Sequence, residues 1–188
     1  EKAGIILEDD CIPGESFFKF CDYLLPKYSN NKNIWLISGD NGGPIVSEKH
    51  FKDYDYLFTR IPLIWGWATW SDRWKKYNEE LNFWQRGIFK NYSFFNHVSF
   101  FEKIIVSRIC KGASKTKIKN FWDFQLYSTM LQNDGFGIIP KNNLISNIGW
   151  GEIATHTKVE NNRSFSKISE NDLATEPSLI SSSKKINN

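Results

Sequence analysis

The chain has 188 residues, 40% of them hydrophobic and 24% charged, with 24 Lys+Arg against 21 Asp+Glu for a net charge of +3. That length buries the core of one domain; no apolar run approaches the roughly 18 residues of a membrane-spanning helix; and so even a charge balance excludes the basic footprint of a nucleic-acid binder. Cys11, Cys21 and Cys110 are odd in number, lack metal-site spacing and read as reduced thiols of a cytosolic protein.

The first predicted element is Gly4-Ile5-Ile6-Leu7, a continuous apolar run that reads as a strand buried on both faces inside a parallel α/β sheet. It runs directly into Glu8-Asp9-Asp10, followed by Pro13 and Gly14, so the carboxylates stand at the carboxyl end of the strand. That edge is where open α/β sheets bind ligands. Anions packed into one turn repel one another unless a cation neutralises them, and hard oxygen ligands suit Mg²⁺ or Mn²⁺ shared with a substrate's phosphates. The alternative is a solvated acidic turn before a helix start, where Asp and Glu are favoured.

Phe17, Phe20, Cys21, Leu24, Leu25 and Tyr28 recur at helical spacing and predict an amphipathic helix over 15–28, ended early by Pro26. Asn33 to Ser38 reads as a second buried strand, and Gly39 to Pro44 as a forced turn. Tyr54 to Thr59 predicts a strand, Trp65-Gly66-Trp67 a shaped loop, and Trp70 to Tyr77 a short helix on which Trp70 and Trp74 share an inward face. Phe94 to Cys110 is expected to be helical with His97 on its surface, Trp122 to Gln132 helical, and Gly135 to Pro140 a final strand. Strands interleaved with helices mean an α/β fold. From Lys158 the chain turns polar, which predicts a domain over 1–157 and a flexible tail over 158–188. A basic stretch from Lys111 to Lys119 suits an anionic membrane surface or a charged acceptor.

Aromatic content reaches 16%, and four of the eight Trp fall between 65 and 74. Apolar C–H faces of sugar rings stack on indoles, so clustered Trp around a glycine suits carbohydrate; the alternative is a Trp-rich core. Asp123, in Phe121-Trp122-Asp123-Phe124-Gln125, is either a general base or an ordinary helix-start acid that offsets the dipole. His156 follows Asn147-Ile148-Gly149-Trp150-Gly151, a glycine-flanked loop whose backbone N–H groups would suit a diphosphate. It is either a metal ligand or an exposed bystander.

Taken in order, Leu7-Glu8-Asp9-Asp10, Phe17-Phe18-Lys19-Phe20, Trp35 to Asn41, Trp65 to Trp70 and Phe121 to Gln125 resemble the GT-A-fold nucleotide-sugar glycosyltransferases. The likeness is to bacterial family-2-like enzymes of surface polysaccharide synthesis, and more distantly to the N-acetylglucosaminyltransferase I family, over roughly residues 3 to 157. The resemblance implies a partial GT-A, Rossmann-like mixed sheet flanked by helices, without the amino-terminal nucleotide-binding half. It implies an inverting enzyme that moves a sugar from a nucleotide-sugar donor, a UDP-sugar foremost, to a saccharide or glycolipid acceptor, in the cytoplasm or at the inner face of its membrane.

Carried over residue by residue, Asp10 is the ligand of a divalent metal, Mn²⁺ or Mg²⁺, with His156 as a second ligand. Glu8 and Asp9 face the donor and Asp123 is the catalytic base; to these the residues' own chemistry adds Gly149 and Gly151 toward the donor, and Trp65, Gly66, Trp67 and Trp122 toward the acceptor or sugar. The N-acetylglucosaminyltransferase I pattern carries two adjacent acids where this chain has Asp123 followed by Phe124. Two further classes stand beside this reading. One is a non-catalytic carbohydrate-binding module, which would need no metal. The other is a metal-dependent phosphoesterase or nucleotidyltransferase, for which a second acidic cluster would be expected.

Overall fold

The computed structural model describes residues 1–43, 46, 48–51, 53–79 and 122–149. The first strand, β1 (Ala3–Ile6), leads through the acidic turn into a short β2 (Cys11–Pro13) and then α1 (Glu15–Lys27). β3 (Ile34–Ser38), β4 (Tyr56–Thr59) and β5 (Trp67–Trp70) follow, and α2 (Ser71–Trp74) is a single turn. After residue 121 come α3 (Trp122–Gln132), β6 (Phe136–Pro140) and β7 (Ile145–Asn147). The result is mixed α/β.

Five strands form the main sheet in the order β1-β5-β3-β6-β4, and β2 pairs with β7 as a separate ribbon. β3 and β6 are parallel, while β5 lies antiparallel to both β1 and β3. It follows that β1, β3 and β6 all point the same way and present their carboxyl ends at one edge. β4 runs antiparallel to β6 at the far side.

β1 departs from expectation. It is the outermost strand among the described residues, antiparallel to β5 through Ala3↔Trp70 to Ile6↔Trp67, and Ile5 and Leu7 are 37% and 41% exposed. An unbroken apolar run carries no alternation from which an edge position could be read. The expected Trp70–Tyr77 helix is also displaced. Trp67 to Trp70 is a strand, where large aromatic side chains pack well, and only Ser71–Trp74 is helical.

α1 covers one face, burying Phe17, Phe20, Cys21 and Leu24 against Ile34, Ile37, Phe58 and Ile138. Pro26 sits in its last turn, and the helix ends one residue later. α3 covers the other face, where Leu126 and Met130 meet Trp35, Leu36 and Trp67. The register between β3 and β6 slips between Ile34 and Leu36. Trp35 and Leu36 consequently join the α3 side, while Ile34 and Ile37 join the α1 side. A bulge of this kind lets consecutive residues share a face.

The turn after β3 forms as its composition requires. Asp40 Oδ1 accepts the Gly42 N–H at 2.8 Å and Asn41 Oδ1 accepts that of Gly43 at 2.9 Å, with Gly42 and Gly43 at φ of 80° and 52°, angles that favour glycine.

At the opposite, amino edge stands Arg73, 3% exposed and unmarked by any local pattern. Its Nε donates to the Ile34 carbonyl at 3.2 Å, and its Nη2 to those of Tyr28, Ser29 and Asn31 at 3.1, 2.9 and 3.0 Å. The guanidinium thereby satisfies carbonyls at and beyond the end of α1, where a cation also complements the helix dipole. It lies over the Trp70 ring at 4.3 Å, whose Nε1 donates to the Leu25 carbonyl at 3.1 Å.

Candidate functional site

The site is built where β1 ends. The chain turns sharply after Leu7, closed by the Cys11 N–H donating to the Glu8 carbonyl at 3.1 Å. It then enters the β2–β7 ribbon, whose register sets Cys11 opposite Asn147. The ribbon brings Gly149 beside Asp10. Ile148 N–H donates to the Asp10 carbonyl at 2.8 Å, and a Cβ on Gly149 would collide with the Asp10 carboxylate. Glycine here permits a backbone to pass against an acidic side chain. The Gly149 N–H donates to Asn147 Oδ1 at 2.8 Å, so this amide already has a partner within the loop.

Glu8, Asp10 and Cys11 each offer a ligating atom, and these atoms lie within 4.8 Å of one another. Partial burial, followed by the charges of Asp10, Asp9 and Asp123, raises the pKa of Glu8 above its ordinary 4.5. Asp123, in the first turn of α3, contributes the smallest of these charges. Cys11 was not expected here. Burial first, and the Asp10 charge second, push its thiol up to about 12. It is a neutral thiol whose S–H donates to Asp10 Oδ1 at 3.6 Å. Its position directly after the acids was visible in the sequence, but burial of that side chain has no local signature.

The aromatic residues divide. Trp67 is 2% exposed and lies between Trp122, stacked at 5.8 Å and 23°, and Trp74, tilted at 5.8 Å and 52°. Trp65 and Trp122 are each partly exposed. Gly66 sits at φ +57° with Ile145 and Leu7 packed against it, and its carbonyl accepts the Gly39 N–H at 2.8 Å. Trp70 packs inward, but Trp74 is 44% exposed, because one belongs to β5 and the other to α2. Tyr77 stacks on Trp74 at 4.8 Å and donates its hydroxyl to Gln125 Oε1, fastening the segment after α2 to the start of α3. Burial, and then the charges of Glu79 and Asp123, raise the Tyr77 pKa.

Glu8, Asp9, Asp10, Gly66, Trp122, Asp123 and Gly149 therefore gather around the carboxyl edge of β1 and the amino end of α3. Gly151, His156, His97, Cys110, the expected 94–110 helix and the 158–188 tail lie outside the described residues. Among the described residues no helix is long and apolar enough to cross a membrane. Comparison with known protein families and with curated proteins finds no match to this chain.

Proposed function

We propose that this site serves metal-dependent glycosyl transfer, in which a sugar moves from a nucleoside-diphosphate donor to a saccharide acceptor with inversion. The observation that carries the reading is the acidic turn at the carboxyl end of β1, where Glu8 and Asp10 bring carboxylate oxygens within 4.8 Å of one another. The donor set suits a hard divalent ion: Glu8 and Asp10 offer carboxylate oxygens within the 4.8 Å spacing of the cluster, while Cys11 is a protonated thiol. A divalent ion bound there would neutralise charge on a departing diphosphate. The motif order from Leu7 to Gln125 supports the same class.

Within this reading Asp123 is the group that takes the acceptor hydroxyl's proton. It stands in the first turn of α3. Trp122, backed by the buried Trp67, and Trp65 offer partly exposed indoles to sugar faces. Gly149 keeps the approach to Asp10 narrow. His156 is proposed as the second metal ligand on the resemblance alone.

Calorimetric titration with Mn²⁺, alone and with UDP, is the test. Saturable binding that UDP strengthens and Asp10→Asn abolishes is expected. A chain that binds saccharides but no metal would instead be a binding module. In a transfer assay Asp123→Asn should lower turnover about 10²- to 10⁴-fold with Mn²⁺ affinity unchanged, and near-normal turnover would return Asp123 to a helix-start role.

A further inference from the structure

The Asp10 carboxylate is held from the β2–β7 ribbon. Its Oδ1 accepts the Cys11 S–H at 3.6 Å, the Asp10 carbonyl accepts the Ile148 N–H at 2.8 Å, and its Oδ2 lies so close to Gly149 that a Cβ there would overlap it. Gly149 is not at positive φ. Its missing side chain therefore answers to the Asp10 carboxylate and not to the backbone. Both contacts of that carboxylate lead back to Asn147, which is 4% exposed and stands opposite Cys11 in the ribbon register. Asn147 Nδ2 donates to Cys11 Sγ at 3.9 Å, and Asn147 Oδ1 accepts the Gly149 N–H at 2.8 Å. A buried amide costs free energy unless it is hydrogen-bonded, and neither of these bonds reaches the main sheet. Ile145, two residues earlier on the same side of β7, is the kind of residue that burial alone favours.

We propose that Asn147 is a positioning residue for Asp10: through Cys11 it sets one carboxylate oxygen, through Gly149 it walls in the other, and together these hold the carboxylate in place for a divalent cation shared with Glu8. Such a hold is needed. The oxygens of Glu8 and Asp10 lie within 4.8 Å of each other, so like charges push the two side chains apart before any cation arrives. Groups that hydrogen-bond a ligating carboxylate orient it and tune metal affinity. The proposal rests on the divalent-cation part of the glycosyl-transfer reading, and on neither the sugar nor its acceptor.

The test is calorimetry with Mn²⁺ on the full 188-residue chain, alone and with UDP, beside urea unfolding of the metal-free chain. Asn147→Ala keeps every carboxylate and should weaken Mn²⁺ binding about 10- to 100-fold. Cys11→Ala should weaken it in the same direction, and Cys11→Ser, which restores a donor, should recover most of the loss. Gly149→Ala leaves Asn147 and Cys11 in place and drives a methyl group into the Asp10 carboxylate. It should also weaken Mn²⁺ by about tenfold or more, and it serves as the test if Asn147→Ala does not fold. Unchanged Mn²⁺ affinity in folded Asn147→Ala or in Gly149→Ala, whatever the unfolding midpoint does, overturns the proposal and returns Asn147 to a role in the fold of the ribbon. So do Cys11→Ala and Cys11→Ser variants that bind alike. Mn²⁺ binding that the variants weaken but UDP does not strengthen would instead sink the glycosyl-transfer reading and leave the positioning role standing; a wild-type chain that binds no Mn²⁺ removes both.

Discussion

At the amino edge of the sheet the Arg73 guanidinium is enclosed by the carbonyls of Ile34, Tyr28, Ser29 and Asn31 and by Asp72. At the carboxyl edge the charges that act on Glu8, those of Asp10, Asp9 and Asp123, are all of its own sign. Both are partly or wholly buried charges at the ends of the same strands. One has hydrogen-bond partners at all three of its nitrogens, and the other is set among charges of its own sign. A buried charge stabilises a fold only when it is paired. The first edge is therefore organised for stability, and the second gathers like charges at some cost to it.

The boundary between the two regimes is sharpest at the tryptophans. Trp67 is core, so Trp67→Ala should cost about 3–5 kcal/mol of folding free energy, read by chemical denaturation. Trp65 is partly exposed. Trp65→Ala should weaken saccharide binding by about 1–3 kcal/mol, taking aromatic stacking on nucleobases as a proxy, with little loss of stability. If both variants collapse in stability, the Trp65–Trp67 segment is core throughout and the sugar platform proposed there is wrong.

Arg73→Ala leaves the buried Ile34 carbonyl and three partly buried ones without their donor and should cost about 3 kcal/mol. Arg73→Lys should recover only part of it, because an ammonium lacks the planar fork. A near-neutral Arg73→Ala in the same denaturation measurement would mean that water replaces the guanidinium and that the amino edge is not what holds this corner.

The smallest effects have opposite signs. Hydrogen bonding from Lys32 first, and then from Arg73, lowers the Asp72 pKa from its ordinary 3.8 to about 2. Its contribution is present above pH 3.8 and lost as pH falls toward 2. Asp72 is largely exposed, so Asp72→Asn should cost no more than about 1 kcal/mol at neutral pH, and nothing once both states are protonated. Glu8 is raised, so its contribution is complete below its ordinary 4.5 and lost as pH rises through its folded value. Glu8→Gln should accordingly stabilise the metal-free chain at neutral pH, leave it unchanged in strong acid, and remove the stabilisation by Mn²⁺. Thermal melts across pH read both, and a Glu8→Gln that destabilises at pH 7 would break the contrast between the edges.

Much of this was legible locally. The spacing of Phe17, Phe20, Cys21 and Leu24 sets α1, and α3 spans the residues that its sequence predicts, Trp122–Gln132. The acidic triplet does stand at the carboxyl end of a strand. What escaped depended on partners distant in sequence. Gly4 to Leu7 reads the same at an edge as in the middle of a sheet, and β2 and β7 are three residues each, too short for any period. The burial of Arg73 follows from carbonyls at Tyr28 to Ile34, and the place of Cys11 among the acids follows from a thiol that only the packed ribbon buries. Trp67 and Trp65 look alike in sequence, yet Trp67 belongs to the cluster under α3 while Trp65, partly exposed, packs against the α1-side core.

The Arg73 clasp also has a bearing on time. Its four carbonyl partners lie 39 to 45 residues earlier in the chain, so the loop it closes is among the costlier ones to form. Until β5 has paired and α2 has arrived, the end of α1 and the turn into β3 depend on water for those hydrogen bonds. Contacts of such separation slow folding, which makes this corner a late step in assembly, formed only after the helix it caps has already chosen its face.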